Sequence, residues 1–70
     1  MILNRLSPQE CKVAMYIAHG YDNQEIATKL ELSPRTVVKY MTRCLNKLNI
    51  PLGGASRVKL ARKIWEGENE

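Results

Sequence analysis

The sequence predicts an all-α domain of four helices. Three segments begin with a residue that caps helices well, namely Ser7-Pro8, Asp22 and Ser33-Pro34. Apolar residues follow each cap at helical spacing, and no segment shows the sustained alternation that is typical of a strand. We expect one domain over residues 1–70, with its core in about residues 6–65, because the chain is short and has no internal repeat.

The first two helices are predicted from two capping boxes. Ser7 caps the first helix, and Glu10 stands at the position from which its carboxylate can bond back to the cap. Gly20 is a strong signal for the end of this helix. The second helix begins at Asp22, with Glu25 three residues later, and is expected to end near Glu31.

The third helix is expected over residues 34–49. Ser33 caps it, while Pro51 and the pair Gly53-Gly54 prevent its continuation. At about 100° per residue, its apolar and polar side chains fall on opposite sides. The apolar side holds Val37, Met41, Cys44 and Leu48, flanked by Tyr40 and Leu45. The polar side holds Arg35, Lys39, Thr42, Arg43 and Asn46.

The fourth helix should begin at Ala55 or Ser56 and end by Gly67. It carries two apolar stripes, one with Val58, Ala61 and Trp65 and the other with Leu60 and Ile64. Two stripes on a short exposed helix indicate two partners, the core of the domain and a second subunit. We take Leu60 and Ile64 as the candidate dimer residues.

The charge is distributed unevenly along the chain. The formal net charge is +4, but residues 32–65 hold eight Lys or Arg residues and no Asp or Glu residue. Such a segment repels itself unless an anion lies opposite, and nucleic acid is the most obvious anion of the right size. An anionic membrane or an acidic protein is an alternative partner.

Several classes of function find no support in the sequence. No apolar run is long enough to span a membrane and no signal peptide is recognisable, so we expect a cytoplasmic protein. The two cysteines, Cys11 and Cys44, and the single His19 are too widely spaced for a zinc site. No paired carboxylates, phosphate-binding glycine loop or activated nucleophile indicates an enzyme, a cofactor or a small-molecule ligand.

The short connection between the second and third helices predicts a helix-turn-helix. Only about three residues, Glu31 to Ser33, join them, which requires a sharp corner. Ala27 is small enough for the helices to approach closely, and Leu32 can fix the turn to the core. Many such motifs carry Gly where this chain has Glu31.

Residues spread over nearly the whole chain resemble the LuxR-type (GerE-like) helix-turn-helix domain of bacterial transcription regulators. The matching residues are Leu6-Ser7-Pro8-Gln9-Glu10, Val13, Gly20, Asn23-Gln24-Glu25-Ile26-Ala27, Leu30, Leu32-Ser33, Thr36-Val37 and Lys47-Leu48-Asn49-Ile50. The resemblance implies four helices, with the third as the recognition helix in the DNA major groove and the fourth as a frequent dimer element. This chain departs from the family pattern at Val38, Tyr40 and Asn49, where Lys, His and Gly are usual.

The resemblance also implies which residues contact DNA. The base-facing positions would be Val38, Lys39 and Thr42. The phosphate-facing positions would be Thr36, Arg43, Lys47 and, at the start of the second helix, Asn23 and Gln24. Independently of the family, the charge of Arg35 and the helix N-terminus at Ser33 favour phosphate contacts.

We therefore expect a sequence-specific regulator of transcription that binds double-stranded DNA, and not an enzyme. Two alternatives remain open at this point. The first is a promoter-reading domain of a sigma factor, which has a similar helix-turn-helix. The second is a protein-interaction module that uses the same fold.

Overall fold

The computed structural model describes residues 5–68, so residues 1–4 and 69–70 of the expected domain lie outside the described part. The predicted all-α fold is confirmed. The four helices are α1 (Pro8–Ala18), α2 (Asn23–Leu30), α3 (Pro34–Lys47) and α4 (Ser56–Glu68), and residues 5–68 contain no strand. Within that range, none of the helices has the length and apolar character needed to cross a membrane.

The predicted helix starts are confirmed in atomic detail. In α1 the Ser7 hydroxyl oxygen accepts from the Glu10 N–H at 3.3 Å, and Glu10 Oε1 accepts from the Ser7 N–H at 2.9 Å. Asp22 and Glu25 exchange the same pair of bonds at 2.8 and 2.9 Å. Each capping box satisfies two backbone N–H groups that a helix N-terminus would otherwise leave without partners.

The first three helices end in the same way, with a residue in the left-handed conformation. These residues are Gly20 (φ 88°), Glu31 (φ 57°) and Asn49 (φ 58°). In each case the N–H of the following residue returns to a carbonyl five residues earlier, as in the 2.8 Å bond from Leu32 N to Ala27 O. This is the Schellman arrangement, and it satisfies carbonyls at the end of each helix. It also ends α3 at Lys47, two residues before the predicted end at Asn49.

α1 is the central helix of the core. It packs against both α3 and α4, while α2 packs mainly against α3. The core is a continuous cluster of buried apolar side chains contributed by all four helices. Its members are Leu6, Val13, Ala14, Ile17, Ile26, Ala27, Val37, Cys44, Leu45, Leu48, Ile50, Leu60 and Ile64.

The prediction that Leu60 and Ile64 form the dimer stripe of α4 is wrong. Leu60 and Ile64 are both 0% exposed and belong to the core of the single domain. They cannot serve as a dimer surface while the domain is folded, because no part of either side chain reaches solvent. The exposed stripe is the other one, in which Val58 is 61% and Trp65 is 42% exposed.

Candidate nucleic-acid interface

α3 presents one buried and one exposed side, as its sequence predicts. Val37, Cys44 and Leu45 are buried, and Tyr40 and Met41 pack against the core. The opposite side is free of carboxylates and is formed by Arg35, Val38, Lys39, Thr42, Arg43 and Asn46. We call this set of six residues the α3 outer face. It is a convex cationic ridge on a helix that is held from behind by the core.

The three predicted base-contacting residues all lie on the α3 outer face. Lys39 is exposed, Thr42 is half-buried, and Val38 is 41% exposed beside Lys39. The exposed part of the Val38 side chain is available to a partner. The structure therefore places an aliphatic group, an ammonium group and a hydroxyl group next to one another on the same ridge.

The first turn of α3 holds two predicted phosphate contacts in a defined geometry. The Ser33 hydroxyl oxygen accepts from the Thr36 N–H at 3.1 Å, and it lies 2.9 Å from the Thr36 hydroxyl oxygen. Arg35, the third predicted contact of this turn, lies between them and is exposed. About two turns later the guanidinium carbon of Arg43 lies 5.7 Å from the centre of the Tyr40 ring, a cation–π distance that restrains the Arg43 side chain.

The start of α2 supplies two further predicted phosphate contacts. Gln24 is exposed, and Asn23, the first residue of the helix, is half-buried. The Asn23 Oδ1 accepts a hydrogen bond of 2.6 Å from Arg57, so this amide is oriented by a residue of α4. The N-terminal end of α2 also carries the positive end of the helix dipole, which favours an anion there.

Lys47 has a structural role within the domain that its sequence position does not indicate. Its ammonium group donates to Glu10 Oε1 at 2.7 Å, and Glu10 is only 3% exposed. This hydrogen bond and that from the Ser7 N–H lower the pKa of the Glu10 carboxyl below 4.5. The charge of Lys47 is thus balanced within the domain, and the pair fixes the end of α3 to the start of α1. The Lys47 side chain remains 44% exposed, so its phosphate contact stays a prediction.

Sequence reasoning missed Arg57. Its guanidinium group donates to Asn23 Oδ1 and to the backbone carbonyl of Tyr21, and it lies 3.5 Å from the sulfur of Met41. The sequence did contain a signal. A cation in the first turn of a helix is unfavourable against the helix dipole, which indicates that other contacts hold Arg57 there.

The geometry of this face agrees with comparisons to known proteins. A family model described as "Bacterial regulatory proteins, luxR family" (GerE) matches residues 4–64. No solved structure shows a significant match to the chain.

Curated relatives match about two thirds of the chain. The transcriptional regulatory protein ComA of Bacillus subtilis is 42% identical over 45 residues, which cover 64% of this chain and 21% of ComA. The DNA-binding transcriptional activator EvgA of Escherichia coli is 46% identical over 46 residues, which cover 66% of this chain and 22% of EvgA. The oxygen regulatory protein NreC of Staphylococcus carnosus is 44% identical over 45 residues, covering 64% of this chain and 21% of NreC.

The matched segment thus spans about a fifth of the length of these relatives. The family match, in contrast, covers most of this chain and includes α1, α2, α3 and most of α4. The chain therefore belongs to the luxR family of bacterial regulatory proteins.

Proposed function

We propose that the α3 outer face enters the major groove of double-stranded DNA and reads its sequence there. The observation that carries this proposal is the exposed, carboxylate-free ridge of α3, which is anchored by the buried residues on its other side. An α-helix has the width of the major groove, where each base pair displays a distinct pattern of chemical groups.

Val38, Lys39 and Thr42 are the proposed base contacts. The Lys39 ammonium can donate to O6 or N7 of guanine, and the Thr42 hydroxyl can donate or accept. Val38 has no hydrogen-bonding group, but its exposed methyl groups suit the 5-methyl group of thymine. A thymine close to a guanine is therefore the expected core of each half of the binding site.

The proposed phosphate contacts surround the three base contacts. Arg35 and Arg43 supply charge, while Ser33 and Thr36 supply hydroxyl groups at the start of α3. Asn23 and Gln24 supply amide groups at the start of α2. Contacts of this kind set the position of the protein on the duplex and make its affinity depend on salt.

A homodimer through α4 is the second part of the proposal. The exposed stripe of α4 includes Val58 and Trp65, and the half-buried Ala61 lies between them. An apolar stripe of this kind is suited to a second copy related by a two-fold axis. Val58, Ala61 and Trp65 therefore replace Leu60 and Ile64 as the proposed dimer residues.

The DNA-reading proposal is tested with Lys39→Ala. Duplexes that bind the wild-type protein are first selected from a random pool, and affinity is then measured by fluorescence anisotropy. We expect Lys39→Ala to lose about 10-fold or more in affinity for the selected duplex, because a base contact of this kind contributes about 1–3 kcal/mol of discrimination. It should lose much less on an unrelated duplex.

Lys12→Ala is the matched control, since Lys12 is exposed on α1, outside the proposed surface. Equal losses for the two variants on both duplexes would contradict base reading by Lys39. Weak binding that is indifferent to Val38, Lys39 and Thr42 would instead favour a protein partner for the α3 outer face.

A further inference from the structure

Arg57 connects three parts of the fold that the helix packing leaves weakly connected. α4 packs chiefly on α1 and makes few contacts with α2 and α3. From the first turn of α4, the Arg57 guanidinium reaches the carbonyl of Tyr21, the amide of Asn23 and the sulfur of Met41. These three residues belong to the connection before α2, to α2 itself and to α3.

The contact with Arg57 determines how the Asn23 amide is turned. A guanidinium group has only hydrogen-bond donors, so the side of the amide that faces it must be the acceptor Oδ1. The other side of the amide, Nδ2 with its two N–H donors, is directed away from Arg57. A phosphate oxygen needs donors, and Asn23 presents them only in this orientation.

We propose that Arg57 is a positioning residue for DNA binding, which holds the Nδ2 donors of Asn23 toward a phosphate of the duplex backbone. This inference rests on the proposed function, since it requires the start of α2 to lie on DNA. Arg57 itself makes no phosphate contact in this scheme, because two of its donor groups are already engaged within the domain. The contact with Met41 also keeps the start of α2 in register with α3.

A double-mutant cycle tests the proposal. The affinities of wild type, Arg57→Gln, Asn23→Ala and the double variant are measured by anisotropy on a generic duplex at low salt, where phosphate contacts dominate and no operator is needed. We expect each single change to weaken binding about 5–10-fold and the double variant to be no weaker than the stronger single one. Arg62→Gln removes a charge from an exposed position of the same helix and should change affinity less than twofold.

The salt dependence separates positioning from direct contact. If Arg57 only orients Asn23, the slope of log K against log salt stays the same in Arg57→Gln. If Arg57 itself neutralises a phosphate, the slope falls by about 0.9. A reduced slope, additive losses in the cycle, or equal effects of Arg57→Gln and Arg62→Gln would each overturn the proposal.

Two further measurements cover the remaining outcomes. Thermal unfolding identifies a variant that does not fold, and the cycle is then repeated with Arg57→Lys. This variant keeps the charge but lacks the planar guanidinium group that bonds Asn23 Oδ1 and the Tyr21 carbonyl oxygen together. It is expected to lose affinity, and binding equal to wild type overturns the proposal. If wild type itself fails to bind duplex DNA, the proposed function is wrong and this inference falls with it, whereas wild-type binding with additive losses overturns the inference alone.

Discussion

Glu10 has two structural roles, and only the first, as a capping residue of α1, could be predicted from the sequence. As a member of the capping box it bonds the Ser7 N–H, and as a buried carboxylate it receives the Lys47 ammonium at 2.7 Å. Its backbone carbonyl also accepts a hydrogen bond from the Cys44 thiol at 3.4 Å. Burial and then the nearby Glu10 charge raise the pKa of Cys44 to about 12, so the thiol stays protonated at neutral pH. Glu10 at the start of α1 thus holds two residues near the end of α3, Cys44 and Lys47.

The Glu10 carboxylate makes the stability of the domain depend on pH. Its pKa is lowered on folding, so it stabilises the folded state above pH 4.5, and this stabilisation is lost as pH falls through the folded-state pKa. We expect Glu10→Gln to lower Tm by about 5 °C or more at neutral pH. The difference from wild type should close as the pH is lowered well below 4.5, when thermal unfolding is followed by circular dichroism.

Glu25→Gln is the matched control for this measurement. Glu25 occupies the same place in the capping box of α2, but that box is exposed. The control should therefore cost less stability than Glu10→Gln at neutral pH. A Tm difference between wild type and Glu10→Gln that is independent of pH would contradict the role given to the Glu10–Lys47 pair.

At the scale of the elements, three helices share one way of ending but not one residue type. The left-handed residue is Gly20 after α1, Glu31 after α2 and Asn49 after α3. Only glycine adopts this conformation without a steric cost, asparagine tolerates it, and glutamate is strained by about 1–2 kcal/mol. The turn between α2 and α3 therefore requires Glu31 to adopt a backbone conformation that glutamate disfavours.

Glycine substitutions at these positions should stabilise the domain in a defined order. We expect Glu31→Gly to raise stability by about 1 kcal/mol and Asn49→Gly by less, because relief of the left-handed strain outweighs the added freedom of the unfolded chain. Gly20→Ala should cost about 1 kcal/mol for the same reason, although no atom lies within 4 Å of the added Cβ. Each 1 kcal/mol corresponds to about 4–8 °C in Tm for a domain of this size.

The control for Glu31→Gly is Glu31→Gln, which removes the same charge but keeps a side chain. It should leave Tm nearly unchanged. If Glu31→Gln stabilises the domain as much as Glu31→Gly does, the gain comes from charge and the backbone explanation is wrong.

For the whole molecule, the two stripes of α4 give opposite expectations for substitution. Leu60 is 0% exposed in the core, so Leu60→Glu should unfold the domain. Val58 is 61% exposed, so Val58→Glu should leave the monomer folded and, if the proposed dimer forms, should abolish it. Sedimentation measures self-association, and circular dichroism measures folding of the same samples. A wild-type protein that stays monomeric with and without DNA would contradict the dimer.

The sequence predicted more of the fold than of the site. Capping boxes act between residues three apart, so the starts of α1 and α2 could be read directly from the chain. The α3 outer face followed from helical periodicity alone. The stripes of α4 could not be distinguished in this way, because both are apolar and only the packing against α1 decides which one is buried. The contacts of Arg57 with Asn23 and of Lys47 with Glu10 could not be predicted, because the partners are distant in sequence.

The side chain of Trp65 provides a further consequence. Its indole N–H donates to the Ala18 carbonyl at 3.0 Å, and its ring meets His19 edge-on with 5.3 Å between centroids. The chain contains a single tryptophan. The tryptophan fluorescence, excited selectively over that of the three tyrosines, therefore originates at one place, the contact between α4 and the end of α1. A red shift of the tryptophan emission would reveal that α4 has separated from the end of α1, without any added dye.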